Sequence, residues 1–166
     1  MASPKPLEIE RDATDFSRIW GEEQRSGVSV VLPTYNEAET IVDVVQEVLD
    51  ELDDVEVVVV DDDSPDETWR VARDAFEDEL ADRVKVVRRV NDQGLSSAVL
   101  DGFRQARGRY TVCMDADGQH PADRLGELVD ELESGADLVV GSRHVEGGEI
   151  DGWPVSRKVT SKVATL

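Results

Sequence analysis

A chain of 166 residues has room for one α/β domain, and two would be cramped. Asp and Glu number 38 against 18 Lys and Arg, a formal charge of −20, and a surface of that sign repels nucleic acid and anionic lipid. The single cysteine, Cys113, excludes an internal disulfide and fits a reducing compartment, while no run approaches the roughly 18 apolar residues of a membrane-spanning helix.

Residues 1 to 26 are polar, with Pro4, Pro6 and scattered charges, and lack the apolar core of a secretory signal. They read as a loosely ordered leader in which Phe16, Ile19 and Trp20 dock on the domain, and the chain reads as soluble. Lysine is confined to Lys5, Lys85, Lys158 and Lys162. Acid excess with arginine favoured over lysine reads as a solvated acidic coat or as adaptation to a salt-rich cytoplasm, where screening over a few Å removes self-repulsion.

From Gly27 short β-branched runs alternate with helical patterns. Val28 to Leu32, Val55 to Val60, Val84 to Val87, Tyr110 to Met114 and Leu138 to Val140 predict strands, most of them apolar throughout, as in a sheet covered on both faces. Cys113, inside the fourth run, is expected to pack in the interior. Between the strands, Glu37 to Leu52 sets Ile41, Val44, Val45 and Val48 on one helical face, and Glu67 to Leu80, Ser96 to Ala106 and Ala122 to Leu132 are also helical. Strict alternation predicts a mostly parallel, Rossmann-like α/β sheet with helices on both faces, whose ligands bind beyond the carboxyl ends of the strands.

Those ends carry the chemistry. After the first strand stands Pro33-Thr34-Tyr35-Asn36-Glu37, in which the proline is expected to end pairing and the asparagine to cap the next helix. After the second come Asp61-Asp62-Asp63-Ser64-Pro65-Asp66, adjacent carboxylates whose repulsion needs bases, hydroxyls or cations to offset it. After the third, Asn91 to Ser97 make a glycine turn into a helix whose free amides suit a phosphate. Asp115-Ala116-Asp117-Gly118-Gln119-His120 follows the fourth, an arrangement that hard divalent cations and diphosphates favour. Gly141-Ser142-Arg143-His144 follows the fifth.

The strings VVLPTYNEAETI (Val30 to Ile41), VVVVDDDSPDETW (Val57 to Trp69), DADGQHP (Asp115 to Pro121) and GSRHVEGG (Gly141 to Gly148) resemble glycosyltransferase family 2, with its GT-A fold. DDDSPD, DADGQHP, GSR and the segment Gly147 to Pro154 are similar, more narrowly, to the dolichol-phosphate mannosyltransferase branch. The resemblance spans about residues 27 to 160. It implies a nucleotide-sugar-binding domain over 27–146 and an acceptor-side segment with the start of an amphipathic helix over 147–166.

Carried over position by position, the resemblance makes Pro33, Tyr35 and Glu37 walls of a nucleotide pocket, with Tyr35 able to stack on a base. Asp61 then accepts from the base with Asp63 close by, and Asp115 and Ala116 contact ribose and diphosphate. Asp117 and Gln119 become ligands of Mg2+ or Mn2+, with Asp117 and Arg143 in the catalytic role. Arg143, Arg157 and Lys162 become the grip on an acceptor phosphate, where guanidinium geometry is bidentate. Arg157, Lys158 and Lys162 equally suit a helix C-terminus. His120 and His144 read as supporting histidines rather than bases, because a phosphomonoester acceptor, with a second pKa near about 6, is already largely dianionic at neutral pH.

The implied reaction is inverting transfer of a sugar, mannose from GDP-mannose first among candidates, to a polyprenyl or dolichyl phosphate. The implied setting is cytoplasmic, peripheral on the cytoplasmic face of a membrane, with no nucleic acid partner. Two departures stand out. The family typically continues past the position of Leu166, so the chain is expected to lack a C-terminal part, and Ser161-Lys162-Val163-Ala164 stands where relatives tend to show SRGA. A family 2 enzyme using a UDP-sugar, and a non-catalytic sugar-nucleotide-binding fragment, are the competing readings. A nucleotidyltransferase is disfavoured because no Gly-rich basic loop follows the first strand.

Overall fold

Four of the apolar runs form strands: β1 (Val28–Thr34), β2 (Val55–Asp61), β3 (Val84–Arg88) and β4 (Tyr110–Cys113). The structure, a computed structural model, describes residues 27–77, 80–91 and 93–142. The leader and everything from Arg143 onward, including His144, Arg157, Lys158 and Lys162, lie outside the described residues. The strands pair in parallel in the order β3-β2-β1-β4. Helices α1 (Ile41–Glu51), α2 (Thr68–Phe76) and α3 (Leu95–Gln105) make the crossovers, and α4 (Leu125–Glu133) follows a 3-10 turn at Ala122–Arg124.

Period-two alternation along β1 and β2 splits the core into two layers. Val30, Leu32, Val57 and Val59 pack with Ile41, Val45, Val48 and Ala72 on the α1/α2 side, while Val31, Val58, Val60 and Val87 meet Ala98 of α3 on the other. α3 lies close on the sheet at Gly102, where a Cβ would come within 2.3 Å of Val31 Cγ1. The fold is the expected α/β sheet with helices on both faces. Chain order reverses at β1, which has β2 on one flank and β4 on the other, so the crevice of the switch point opens at the carboxyl ends of β1 and β4.

Several expectations are corrected. Leu138 to Val140 is not a strand: among the described residues it pairs with none of β1 to β4, and Leu138 and Val140 are 80% and 75% exposed. Pro33 does not end β1, which pairs through Pro33↔Val60 and Thr34↔Asp61. Thr34 O accepts from Asp62 N and Val31 O from Met114 N, so residue 33 faces β4, whose ladder stops at Val31↔Cys113. The missing proline N–H therefore costs no ladder bond. Cys113 is exposed at the end of β4, which is an edge strand among the described residues. Asn36 does not cap α1: it sits at φ 64, and the helix begins only at Ile41.

Candidate active site

The amides ahead of α1 are taken by the loop after β2 and the first residue of α2. Asn36 N donates to Ser64 Oγ (3.0 Å), Glu37 N to Thr68 Oγ1 (2.9 Å) and Ala38 N to Asp66 Oδ2 (3.1 Å). Burial opposes ionisation of Asp66, but the bonds it accepts from Thr68 and Ala38 outweigh that and hold its carboxyl below the usual range. A third loop joins through Thr40, whose Oγ1 donates to Ala116 O at 2.7 Å. The loops after β1, β2 and β4 are thus laced together before any ligand is considered.

Between them lies a cleft of about 260 Å³. Pro33, Thr34, Tyr35 and Glu37 form one wall, Asp115, Ala116 and Asp117 a second, and Asp62 with Leu95 and Ala98 of α3 a third. Tyr35 is 57% exposed, with its ring available for stacking. Ala116 is buried, which leaves the flanking Asp115 and Asp117 turned outward. Asp117 Oδ1 accepts from Gln119 N at 2.9 Å, an Asx turn that holds the carboxylate at the rim. His120 Nδ1 stands 3.8 Å from Asp115 Oδ2.

The cleft is electronegative. Burial, then the charge of Asp117, with Asp66 and Asp115 adding to it, pushes the Glu37 carboxyl above its usual range. A divalent cation relieves that crowding, so the donor set fits one. Among the described residues no three His, Cys, Asp or Glu side chains are gathered closely enough to hold a metal by themselves.

The three acidic residues after β2 part company. Asp61 is fully buried and accepts from Thr34 Oγ1 (2.9 Å), Ser64 N (2.9 Å) and Ser64 Oγ (2.6 Å); burial nonetheless raises its pKa. Asp63, at φ 55, pairs with Arg88 at 2.5 Å, and Arg88 lies over the Trp69 ring at 4.2 Å. Asp62, which sequence reasoning passed over, is the one that lines the cleft. Thr34, Leu95 and Ala98 were missed as well, and only strand and helix ends placed in space reveal them. Gln119 is exposed beside the cleft rather than in its wall.

The family described as Glycosyl transferase family 2 matches residues 29–164. The chain belongs to glycosyltransferase family 2. This family 2 chain is 45% identical over 143 residues to a dolichol-phosphate mannosyltransferase of Pyrococcus furiosus, covering 84% of the chain and 39% of that relative. It is 44% identical over 142 residues to the polyprenol monophosphomannose synthase of Mycolicibacterium smegmatis, covering 81% and 52%. Among solved structures it resembles a mannosyltransferase of Pyrobaculum calidifontis in complex with GDP-Man and Mn2+, at 33% identity and a TM-score of 0.57, over 66% of this chain and 33% of that one. The chain thus spans 39% to 52% of the two curated relatives. Among the described residues no helix is long and apolar enough to cross a membrane.

Proposed function

We propose that this protein transfers mannose from GDP-mannose to a polyprenyl or dolichyl phosphate, with inversion and with the help of Mg2+ or Mn2+. The observation that carries the reading is the meeting of the Tyr35 wall with the Asp115–Asp117 wall at the β1/β4 switch point, in a chain similar to polyprenyl-phosphate mannosyltransferases. In the reaction an oxygen of the acceptor phosphate attacks the anomeric carbon, the bond from that carbon to the diphosphate breaks, and GDP leaves with the electron pair. No protein base is required, because the acceptor is already ionised.

When bound, the cation neutralises the leaving diphosphate. Asp117, braced by Gln119, holds it, and Asp115 and Ala116 meet ribose and diphosphate. Tyr35 stacks on the base against Pro33, while Glu37 adds charge to the cation side. Asp61, carried over as an acceptor for the base, is buried and instead fixes the loop through Thr34 and Ser64, and Asp63 pairs with Arg88 outside the cleft wall. Arg143 grips the reacting phosphate, with Arg157 and Lys162 on the acceptor side. Catalysis then rests on in-line placement and electrostatics. A lipid acceptor sets the work at the cytoplasmic membrane surface.

Thermal unfolding in molar KCl tests the donor. A ligand at one hundred times its Kd adds about 2.7 kcal/mol to the native state. GDP-mannose with Mn2+ is expected to raise the melting temperature, and UDP-glucose is not. A shift with UDP-glucose alone, or with neither, overturns the donor assignment. Failure of labelled mannose to enter solvent-extracted polyprenyl phosphate, in a sample that binds GDP-mannose, overturns the acceptor.

A further inference from the structure

Behind the third wall of the cleft lies a run of alternating charges that the proposed chemistry does not use. The Arg89 side chain is 4% exposed, and those of Asp62 and Asp101 are 9% and 4% exposed. The Arg89 guanidinium ties the loop after β2 to α3 and to the turn that opens it. Nη1 donates to Asp62 Oδ1 at 2.5 Å and to Gly94 O at 3.4 Å; Nη2 donates to Ser97 Oγ at 2.6 Å; Nε stands 3.0 Å from Asp101 Oδ2. Arg104 Nη1 offsets the same Asp101 at 2.8 Å. Taking such charges out of water is costly, and an apolar replacement of equal volume often stabilises a fold as well or better. The placement of the network therefore matters more than its contribution to stability.

Asp62 is the hinge of that placement. Its Oδ2 accepts from Gly94 N at 2.6 Å and its backbone carbonyl from Gln93 Nε2 at 2.8 Å. Gly94 has φ 142, a conformation that side-chain-bearing residues rarely adopt, and Leu95 and Ala98 follow it into the cleft wall. Arg89 and Asp62 together hold the turn that opens α3 against the cleft. Electrostatics points the same way. Glu37, Asp62, Asp115 and Asp117 all line a cleft proposed to receive a diphosphate. A cation can neutralise the carboxylates of the β4 loop, whereas Arg89 neutralises Asp62 from behind without entering the cleft.

We infer that Arg89 is a positioning residue for the nucleotide: through Asp62 and Ser97 it sets the Gly94–Ala98 wall and cancels the charge of Asp62 on the donor side. The inference rests on the proposed nucleotide-sugar site. Arg89→Lys keeps a charge but offers one nitrogen where three are engaged. The probe is GDP with Mn2+, titrated well below the melting temperature, together with the Gly94 amide proton shift, which reports the bond to Asp62. In Arg89→Lys the Kd for GDP is expected to rise about 10-fold, as misplacement of a binding wall does, with an upfield move of Gly94. Val45→Ala, a core change on α1 away from the cleft, lowers the melting temperature and leaves that Kd unchanged. Should Arg89→Lys fail to fold, Ser97→Ala removes the acceptor of Arg89 Nη2 together with the 2.9 Å donation of Ser97 Oγ to Gly94 O, and is expected to weaken GDP about threefold, the low end of what loss of one hydrogen bond costs. Unchanged affinity, or weakened affinity with Gly94 unmoved, overturns the inference alone. A native chain that binds no GDP overturns the proposed site and the inference with it.

Discussion

Thr40→Val tests whether the loops of the cleft are fixed by the bond between Thr40 and Ala116. Valine keeps the shape of threonine and removes the hydroxyl, so the 2.7 Å donation to Ala116 O is lost with little change in packing. The remaining contacts of that hydroxyl, to Glu37 O at 3.3 Å and Glu37 Oε2 at 3.5 Å, are long and contribute little. Ala116 is 1% exposed, so its carbonyl pays part of the cost of an unmet buried acceptor, about 1–3 kcal/mol. Thr40 is itself half-buried and admits some water, which places the expected loss at about 1–2 kcal/mol. For a chain of this size that is a fall of roughly 3–6 °C in melting temperature. Because Ala116 sits between the two outward aspartates, Mn2+-dependent GDP affinity is expected to drop about 10-fold, as when a partner that orients a metal ligand is removed. Calorimetry and a GDP titration with and without Mn2+ measure both. An unchanged melting temperature with unchanged affinity would refute the bracing role.

Asp117→Ala should abolish the Mn2+ dependence of GDP binding with little loss of stability, since the side chain stands at a solvent-facing rim; retained dependence in a titration sinks the metal assignment. Gly102→Ala forces a Cβ to 2.3 Å from Val31 Cγ1 and 3.2 Å from Val60 Cγ2, and overpacking of that kind costs about 1–3 kcal/mol, so a melting temperature equal to that of the native chain would contradict the close seat of α3. The Glu37 carboxyl is raised by burial and by Asp117, so its ionisation is disfavoured in the fold, and the metal-free protein loses that group's share of stability as pH rises from the ordinary 4.5 through the raised value. Cation binding needs the ionised form, so Mn2+ affinity should fall on acidification through the same window, and Glu37→Gln should flatten that part of the profile in a pH-resolved titration. With a formal charge of −20, melting temperature should climb with KCl as the screening length shortens to about 3 Å near 1 M, and a flat salt series would argue against self-repulsion as a dominant cost.

The layout of the sheet was open to reading because β1 and β2 are apolar on both faces, which only a covered parallel sheet requires. The Asp115–Asp117 loop was equally open, since its position follows from β4 ending at Cys113. Features set by long-range bonds were not. Nothing local to Asn36 reveals that Ser64, Thr68 and Asp66 take the amides of Asn36, Glu37 and Ala38 ahead of α1, which begins at Ile41. The order of β3-β2-β1-β4 likewise decides that Pro33 turns its missing donor toward the side where pairing has stopped. The sharpest case is the acidic triplet. β2 runs through Asp61, so that residue keeps the alternation of Val57 and Val59 and turns under the loop toward Thr34. The next residue must face the α3 side, where Arg89 and Gly94 receive it, and the positive φ of Asp63 swings the third toward Arg88. Three identical side chains thus meet a buried hydroxyl pair, a cleft and a surface arginine. A strand one residue longer or shorter would have exchanged their duties, so the length of the strand, rather than the motif, decides which carboxylate lines the cleft.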